Sequence, residues 1–476
     1  MGVDFLLVRN GNVLLRACDV WASRGKLVVV FGCLFESANL GNSLSKPESV
    51  CDVHAQKINA PGPFSFRMEV LIMNDGPTRF FGLDIHKEYF VAVAVNRDLE
   101  IVFGPRRVSN YQLEDWVGRV LTPQDIVVLE MSTNTYLFYD TLLPHAHSVI
   151  AVHPPNVPEV TNARVKTDKK AAETLAQLLA AGMLKGKGVW IPPYEVRDLR
   201  ALIARREKMV RLSTMAKNRL HSLEHRNHLI LPKNPFSSEQ RTWWEDLKLS
   251  TTEKLLVRSD LDTLEFAQKQ VEQVEECLKQ KSAQDERIPL LVQLPGVAML
   301  TAMTILAAIG DVTRFPTAKK LVGYAGLGTR VHDSGMTHSS GRITKAGRRD
   351  LRRAMVNAAN HAVEDHPHWK AELERLEPHL GRSKAIVAIA HKLLVAVWHV
   401  LTEQVADHFA DPQSVARSFL NHAYEVRVRN LPKGQSAAAF TREQLDRLGL
   451  GKDLQKIPWG SKLINLPPSK LVIEKE

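Results

Sequence analysis

Three acidic side chains stand where a charge is hard to keep without a reason. Asp84 lies inside FFGLDIHKEYFVAVAV (residues 80–95), between an apolar strand start and a second strand of alternating apolar residues, although strand interiors disfavour Asp. Glu130 ends the apolar run IVVLE, where an uncompensated carboxylate is costly. Asp168 stands in KTDKKAAE, at the start of a helical pattern. Acids on two strands and a helix start can converge at one edge of a sheet, where a divalent cation offsets their repulsion. Mg²⁺ is commonly held by carboxylates together with phosphate oxygens, and two such ions can clamp both oxygens of a phosphodiester displacement. Taken singly, two of the acids have a plainer role: Asp168 as a helix N-cap, Glu130 as a strand-end surface charge.

A second group lies in YAGLGTRVHDSGMTHSSGRITKAGRRDLRRAMVNAA (residues 324–359), where Ser334 precedes Gly335, and Ser339 and Ser340 precede Gly341. A serine hydroxyl becomes a nucleophile only when its proton is removed or the attacked group is stabilised. Arg330, Arg342, Lys345 and Arg348 are near these serines in sequence and suit phosphate oxygens. Arg348 and Arg352, like Arg349 and Arg353, are four apart and so near one helix face. That face either binds phosphates or is a solvated basic helix under a flexible Gly- and Ser-rich loop. Upstream, LPGVAMLTAMTILAAIG sets a Pro295–Gly296 turn before an apolar helix. The pattern suits the second half of a helix-hairpin-helix, whose backbone N–H groups contact DNA phosphates; it equally suits a core helix after a turn.

Positioning these residues needs particular elements. Over residues 79–188 strands and helices alternate: YFVAVAV, LEIVFG, QDIVVLE and SVIAVH read as strands, and NYQLEDWVGRVL, TYLFYDTLLPHA and KTDKKAAETLAQLLAAG as helices. An early hairpin followed by βα units implies a mixed sheet covered by helices. Residues 196–283 are helical and charged. Val257, Leu264, Val271 and Leu278 recur in heptads, with Ala267 and Val274 between them, as a coiled-coil seam requires. A weaker repeat runs through Leu202, Met209, Ala216 and Leu223, interrupted by Arg206 and Ser213. The two form either a helical hairpin within the chain or an arm that joins two copies. Residues 290–402 make a mostly α-helical region ending in SKAIVAIAHKLLVAVWHVL. Residues 1–72 read as a poorly defined extension, and 403–476 as a polar tail without chemistry.

The 476 residues carry 63 Lys+Arg against 52 Asp+Glu, a formal charge of +11. That excess suits a polyanionic partner, most simply nucleic acid. The four cysteines (Cys18, Cys33, Cys51, Cys277) form no C-x-x-C pair, which fits reduced thiols in the cytoplasm and no zinc site. LVVVFGCLF, the most suspicious run near the N-terminus, is short of the about 20 apolar residues that span a bilayer, so no membrane association is expected.

In this order the motifs resemble the DEDD insertion-sequence transposases of the IS110 family, including its IS1111 branch. GLDIHK, VVLEMSTNTY and KTDKKAAETLAQLL are similar to the RuvC-like amino-terminal domain, and the stretch from LPGVAMLTAM to GRITKAGRRDLRRAM to the carboxy-terminal transposase domain. The likeness runs from about residue 80 to 400. It implies an α/β RNase H-like (RuvC-like) domain whose acids bind Mg²⁺, then a coiled-coil helical region and a mostly α-helical transposase domain carrying a catalytic serine. It also implies DNA recombination through a covalent phosphoserine, guided by a structured RNA from the element's end that pairs with target and donor. Asp84, Glu130 and Asp168 match three of the four acids, and Ser334 matches the nucleophile better than Ser339 or Ser340. The fourth acid, three residues after the third, is here Ala171; Glu173 lies about 200° further round the helix. The expectation is a serine-dependent, Mg²⁺-requiring DNA transposase acting as a homo-oligomer on donor and target DNA. Two alternatives stay open: a decayed element that only binds nucleic acid, and a RuvC-like junction nuclease using water. An actin-like ATPase fold also begins with a strand Asp, but no phosphate-loop glycine pattern accompanies it.

Overall fold

The computed structural model describes residues 78–162, 167–334 and 337–471, together with the backbone of five earlier strands. These are β1 (Leu6–Arg9), β2 (Val13–Ser23), β3 (Lys26–Phe31), β4 (Val53–Lys57) and β5 (Glu69–Met73), paired antiparallel as β1-β2-β3 and β4-β5. The chain divides into two compact units, Met1–Ile191 and Pro192–Glu476.

In the first unit six strands form one sheet in the order β11-β10-β9-β6-β7-β8. They are β6 (Arg79–Ile85), β7 (Tyr89–Val95), β8 (Ile101–Ser109), β9 (Asp125–Glu130), β10 (Ser148–Val152) and β11 (Gly188–Val189). The first three are antiparallel, β9 runs parallel to β6 and β10 parallel to β9, and β11 is antiparallel at the edge. This is the mixed sheet expected from a hairpin followed by βα units. Its helices are α1 (Leu113–Val120), α2 (Thr135–Leu142), α3 (Pro158–Thr161) and α4 (Asp168–Ala180).

Strand alternation sorts the core. Phe81, Leu83 and Ile85 pack with Trp116 and Val117 of α1 and with Phe138 and Leu142 of α2. On the other face Phe80 packs with Leu175, Ala176 and Leu179 of α4. Gly82 faces α4 as well: a Cβ there would stand 2.0 Å from the Ala172 carbonyl oxygen and 2.6 Å from the Ala176 nitrogen. With no side chain between them, α4 rides directly on β6, and its first turn comes to the end of that strand. At the strand's start, buried Asp125 is satisfied by Arg79 at 2.7 and 2.8 Å and by the Thr122 amide at 2.7 Å. Asp84, at the opposite end, has no arginine or lysine partner among the described residues.

In the second unit α5 (Tyr194–Asn227) and α7 (Thr251–Gln284) lie antiparallel, with α6 (Arg241–Glu245) in their connection. Asp198 pairs with Lys281, Arg206 with Glu275 and Arg219 with Asp260, while Asn227 bonds Glu253. Ser250 and Glu253 cap α7 reciprocally, and Trp244 is buried among Leu220, Leu223, Val257 and Leu261. Val257, Leu264 and Leu278 of the heptad pattern are buried, and the helix that lies along α7 is α5 of the same chain. A heptad pattern specifies a partner stripe but not whose, and here the connecting turn brings the partner from within.

The rest of the unit packs around α9 (Met299–Ile309), which is buried nearly all round, as a helix apolar on every side must be. Around it lie α8 (Arg287–Val292), α10 (Ala318–Ala325), α11 (Arg349–Asp365), α12 (Pro367–Leu380) and α13 (Arg382–Glu403). Between α10 and α11 the chain forms a hairpin of β12 (Thr329–Ser334) and β13 (Thr337–Ile343). Among the described helices only α13 is long and apolar enough to cross a membrane, and its Ile386, Ile389, Leu393, Leu394 and Val397 are built into this core. The segment 403–476, read from sequence as a polar tail, contributes to the same core through its described part: Val415, Phe419 and Leu420 of α14 (Pro412–Glu425), Phe440 and Leu445 of α15 (Ala437–Arg447), and Ile457 of β14 (Lys456–Trp459), which pairs with β15 (Lys462–Asn465). Their apolar residues recur at helical spacing inside a polar composition.

Candidate active site

Asp84 is the penultimate residue of β6, on the face that carries Gly82 and therefore α4. Asp168 is the first residue of α4; the cap is Thr167, whose side chain accepts the Lys170 amide at 3.3 Å. The sequence alternative of Asp168 as the N-cap is thus corrected. Freed from capping, Asp168 accepts the Tyr89 hydroxyl on Oδ2 at 2.8 Å. The Arg107 guanidinium lies 3.6 Å over the Tyr89 ring, a cation–π contact that holds the ring in place. The hydrogen bond to Asp168 raises the Tyr89 phenol above its ordinary value.

Between the two carboxylates lies His86. Its Nε2 is 3.3 Å from Asp84 Oδ2 and 3.5 Å from Asp168 Oδ1. The atom is shielded from solvent and makes no aligned hydrogen bond among the described residues. Burial pushes the Asp84 carboxyl above its ordinary range, His86 opposes the rise, and the Asp168 charge adds to it. Asp84, His86 and Asp168 each offer a ligand atom, and the three atoms lie within 4.8 Å of one another. Two carboxylate oxygens and a ring nitrogen suit a divalent cation.

Glu130 follows Leu129, which pairs with Leu83, so it neighbours Asp84 across the sheet. Alternation puts it on the side of Val128, the α4 side. It is half-buried but lies outside the close group of Asp84, His86 and Asp168. Ala171 packs its methyl against the cluster of Phe80, Val128 and Leu175, and Glu173 instead accepts a hydrogen bond from Gln177 at 3.3 Å.

Ser334 ends β12 opposite Thr337 at the hairpin tip, whereas Ser339 and Ser340 pair mid-hairpin with His332 and Val331. The side chains of Ser334, Ser339, Ser340 and Arg342 lie outside the described residues. The expected flexible loop is thus a two-stranded hairpin, in which backbone pairing gives each serine a different station. Arg330, Lys345, Arg349 and Arg353 are exposed, Arg353 with an ion pair to Glu207. Arg348 pairs with Asp350 at 3.0 Å, and Arg352 donates to the Ala325 carbonyl at 2.8 Å. Gly296 has φ +75°, and a Cβ on it would meet the Ala358 carbonyl oxygen at 2.1 Å. Its lack of a side chain serves close packing of the turn on α11.

The basic residues therefore divide into two kinds, and a salt titration separates them. Arg330→Ala with Arg349→Ala is expected to reduce the slope of log affinity for DNA against log salt by about 2, since each phosphate contact contributes about 0.9. Arg352→Ala is expected to leave the slope unchanged and to lower the melting temperature, because it strips a carbonyl of its partner.

His86, Tyr89 and Arg107 were not singled out from the sequence. His86 had a visible signal, standing two residues after Asp84 and just past the end of β6. Tyr89 and Arg107 had none, since their contacts arise from hairpin register and from a helix much later in the chain.

Comparison with known proteins agrees with this layout. A DEDD-type IS110 transposase family matches residues 81–224, which hold all three acids. A second family, described as transposase IS116/IS110/IS902, matches residues 288–374, which hold the serine hairpin and α11. The transposase for insertion sequence element IS1111A of Coxiella burnetii is 24% identical over 343 residues, 68% of this chain and 90% of that one. The pilin gene-inverting protein of Moraxella bovis is 27% identical over 341 residues, 68% of this chain and 96% of that one. An insertion element IS110 protein of Streptomyces coelicolor is 41% identical over 71 residues, 15% of this chain and 18% of that one. In order, the chain carries a DEDD transposase domain and a transposase IS116/IS110/IS902 domain, and the Coxiella and Moraxella relatives align through 90% and 96% of their own lengths, which marks it as similar throughout residues 81–374 to the IS110/IS1111 insertion-sequence transposases.

Proposed function

We propose that the chain is a DNA recombinase in which Asp84, Glu130 and Asp168 hold Mg²⁺ against a phosphodiester, Ser334 attacks it, and an element-encoded RNA selects the DNA. The observation that carries this reading is the meeting of Asp84 and Asp168 around His86, inside the segment that matches DEDD transposases. The sheet order, three antiparallel strands followed by two parallel ones, supports an RNase H-like domain over 79–188. The family match supports a transposase domain over 290–402. A divalent ion bound at the acids offsets negative charge that develops on the attacked phosphate.

The chain's own residues divide the work. Asp84 and Asp168 bind the cation, and Tyr89 fixes which Asp168 oxygen faces it. Ser334 Oγ forms the bond to phosphorus as the bond to a sugar oxygen breaks; the serine proton is lost and the leaving oxygen gains one. Arg330, Arg342, Lys345 and Arg349 supply cations for phosphate oxygens. The net charge of +11 supports binding of both DNA and RNA. Leu255, Leu256 and Phe266 of α7 are more than half exposed, which supports a homo-oligomer meeting along that helix.

The test is to mix the protein with end-labelled donor and target DNA, Mg²⁺ and the element's RNA, and to denature the products. A label that stays on the protein and is released by protease marks the phosphoserine. Cleaved ends with no adduct would make water the nucleophile.

Ala171 is the specific observation on the side of the decayed-element reading, since an alanine cannot share a metal with Asp168. Mg²⁺ commonly keeps several waters, so a three-acid site remains workable. Wild type is expected to recombine at a measurable rate, and Ala171→Asp to shift its Mg²⁺ dependence modestly. Inert wild type beside an active Ala171→Asp variant would establish decay instead.

A further inference from the structure

We propose that His86 is a ligand of the metal in this site, its Nε2 forming with Asp84 and Asp168 a mixed nitrogen–oxygen donor set where the DEDD pattern would use a fourth acid. The inference deepens the metal-dependent reading above and rests on it.

Three features converge. First, the donor atoms are gathered: Nε2 is 3.3 Å from Asp84 Oδ2 and 3.5 Å from Asp168 Oδ1. Ligands about 2.1 Å from a common cation are about 3 Å from one another, so little movement completes the coordination. Second, Nε2 is shielded from water and, among the described residues, makes no aligned hydrogen bond, so it faces the two carboxylate oxygens with its ring nitrogen turned into the site. Third, the ring is held from behind. It packs tilted against the Tyr89 ring with centroids 4.7 Å apart, and the His86 amide donates to the Tyr89 carbonyl at 2.8 Å. The His86 carbonyl accepts from Asn110 at 2.9 Å and from Asn134 at 3.4 Å. The Tyr89 hydroxyl occupies Asp168 Oδ2, which leaves Oδ1 turned toward His86. Outer-shell fixing of this kind is what orients metal ligands.

The fourth-acid position offers no donor, because the Ala171 methyl packs into the apolar cluster. Asp84 is the penultimate residue of β6 and His86 is the first residue after it, so the end of one strand delivers both. An imidazole in place of a carboxylate changes the donor chemistry: nitrogen favours Mn²⁺ over Mg²⁺, which prefers oxygen. The competing account is that an imidazolium merely bridges the two carboxylates. It puts no nitrogen on the metal.

Full-length, metal-stripped protein titrated with Mn²⁺ separates these accounts by pulsed electron paramagnetic resonance. The expected result is Mn²⁺ that Asp84→Asn releases, carrying a ¹⁴N coupling in wild type. In His86→Gln the coupling disappears and Mn²⁺ affinity falls about tenfold or more, with the metal-free melting temperature kept. Excess Mg²⁺ should displace Mn²⁺ more readily from that variant than from wild type. Should His86→Gln fail to fold, the wild-type coupling on Asp84-dependent Mn²⁺ decides by itself, since Asp84 has no other ring nitrogen in its close group. Bound Mn²⁺ without ¹⁴N coupling, or a coupling that survives in His86→Gln, overturns the assignment while leaving a metal site. Absence of Asp84-dependent Mn²⁺ binding in wild type overturns both the assignment and the metal-dependent reading beneath it.

Discussion

Replacing Ser334 by alanine is expected to lower strand exchange by about 10⁴-fold or more and to remove the covalent protein–DNA adduct, with DNA affinity kept within about twofold. The size follows from the role. A nucleophile that forms a covalent intermediate splits one difficult displacement into two easier ones, and no neighbouring atom of an alanine can take its place. Binding is spared because phosphate contacts by arginine and lysine dominate affinity for DNA, and Ser334 carries no charge. The stations of the three serines sharpen the test. Ser334 is the last residue of its strand, opposite Thr337, whereas Ser339 and Ser340 lie within paired strand. Ser339→Ala and Ser340→Ala are therefore expected to retain the adduct. If either of them abolishes it while Ser334→Ala keeps full exchange, the nucleophile has been misassigned. Adduct formation read on denaturing gels, with affinity measured separately by fluorescence anisotropy, distinguishes loss of chemistry from loss of binding.

What could be read from the sequence depended on whether a residue's reason was local. Asp84 stood out because a strand interior disfavours its charge, and the sheet that carries it followed from alternating apolar residues. The heptads of α7 were equally plain, yet a heptad is silent about whether its partner is the same chain, and α5 proved to be that partner. Gly296 was ambiguous for a similar reason. A Pro–Gly turn before an apolar helix fits phosphate contact or tight packing, and only the approach of the Ala358 carbonyl reveals the packing. The helices α14 and α15 were passed over because average polarity hid Val415, Phe419 and Leu420 at helical spacing. His86 was within reach, an imidazole two residues from Asp84 in the sequence. Tyr89 was beyond reach: its hydroxyl meets Asp168 only because Gly82 lets α4 lie directly on the sheet.

Asp84→Asn is expected to abolish Mg²⁺-dependent cleavage, a loss of about 10³-fold or more, while the metal-free protein melts at the same temperature or slightly higher. The two halves of this expectation come from one fact. Asp84 is mostly buried, its side chain 17% exposed, and faces the Asp168 carboxylate. Burial and that neighbour both disfavour its ionised form, so without a cation the charge works against folding. An amide of the same shape removes the charge and relieves that cost. Functional sites commonly trade stability for chemistry in this way. Adding Mg²⁺ should reverse the order of the melting temperatures, because a ligand that binds only the folded state stabilises it by RT ln(1 + [L]/Kd). Wild type gains that stabilisation and Asp84→Asn does not. Arg79 and Asp125 at the far end of β6 provide the contrast: Asp125 is fully buried and paired with a guanidinium, so Asp125→Asn should lower the melting temperature with or without Mg²⁺. The measurement is a set of thermal melts of wild type, Asp84→Asn and Asp125→Asn against Mg²⁺ concentration, beside cleavage of labelled DNA. Retained Mg²⁺-dependent cleavage in Asp84→Asn would remove this carboxylate from the chemistry. A steep loss of stability in the metal-free variant would make Asp84 a structural acid like Asp125, held for the fold and not for a metal.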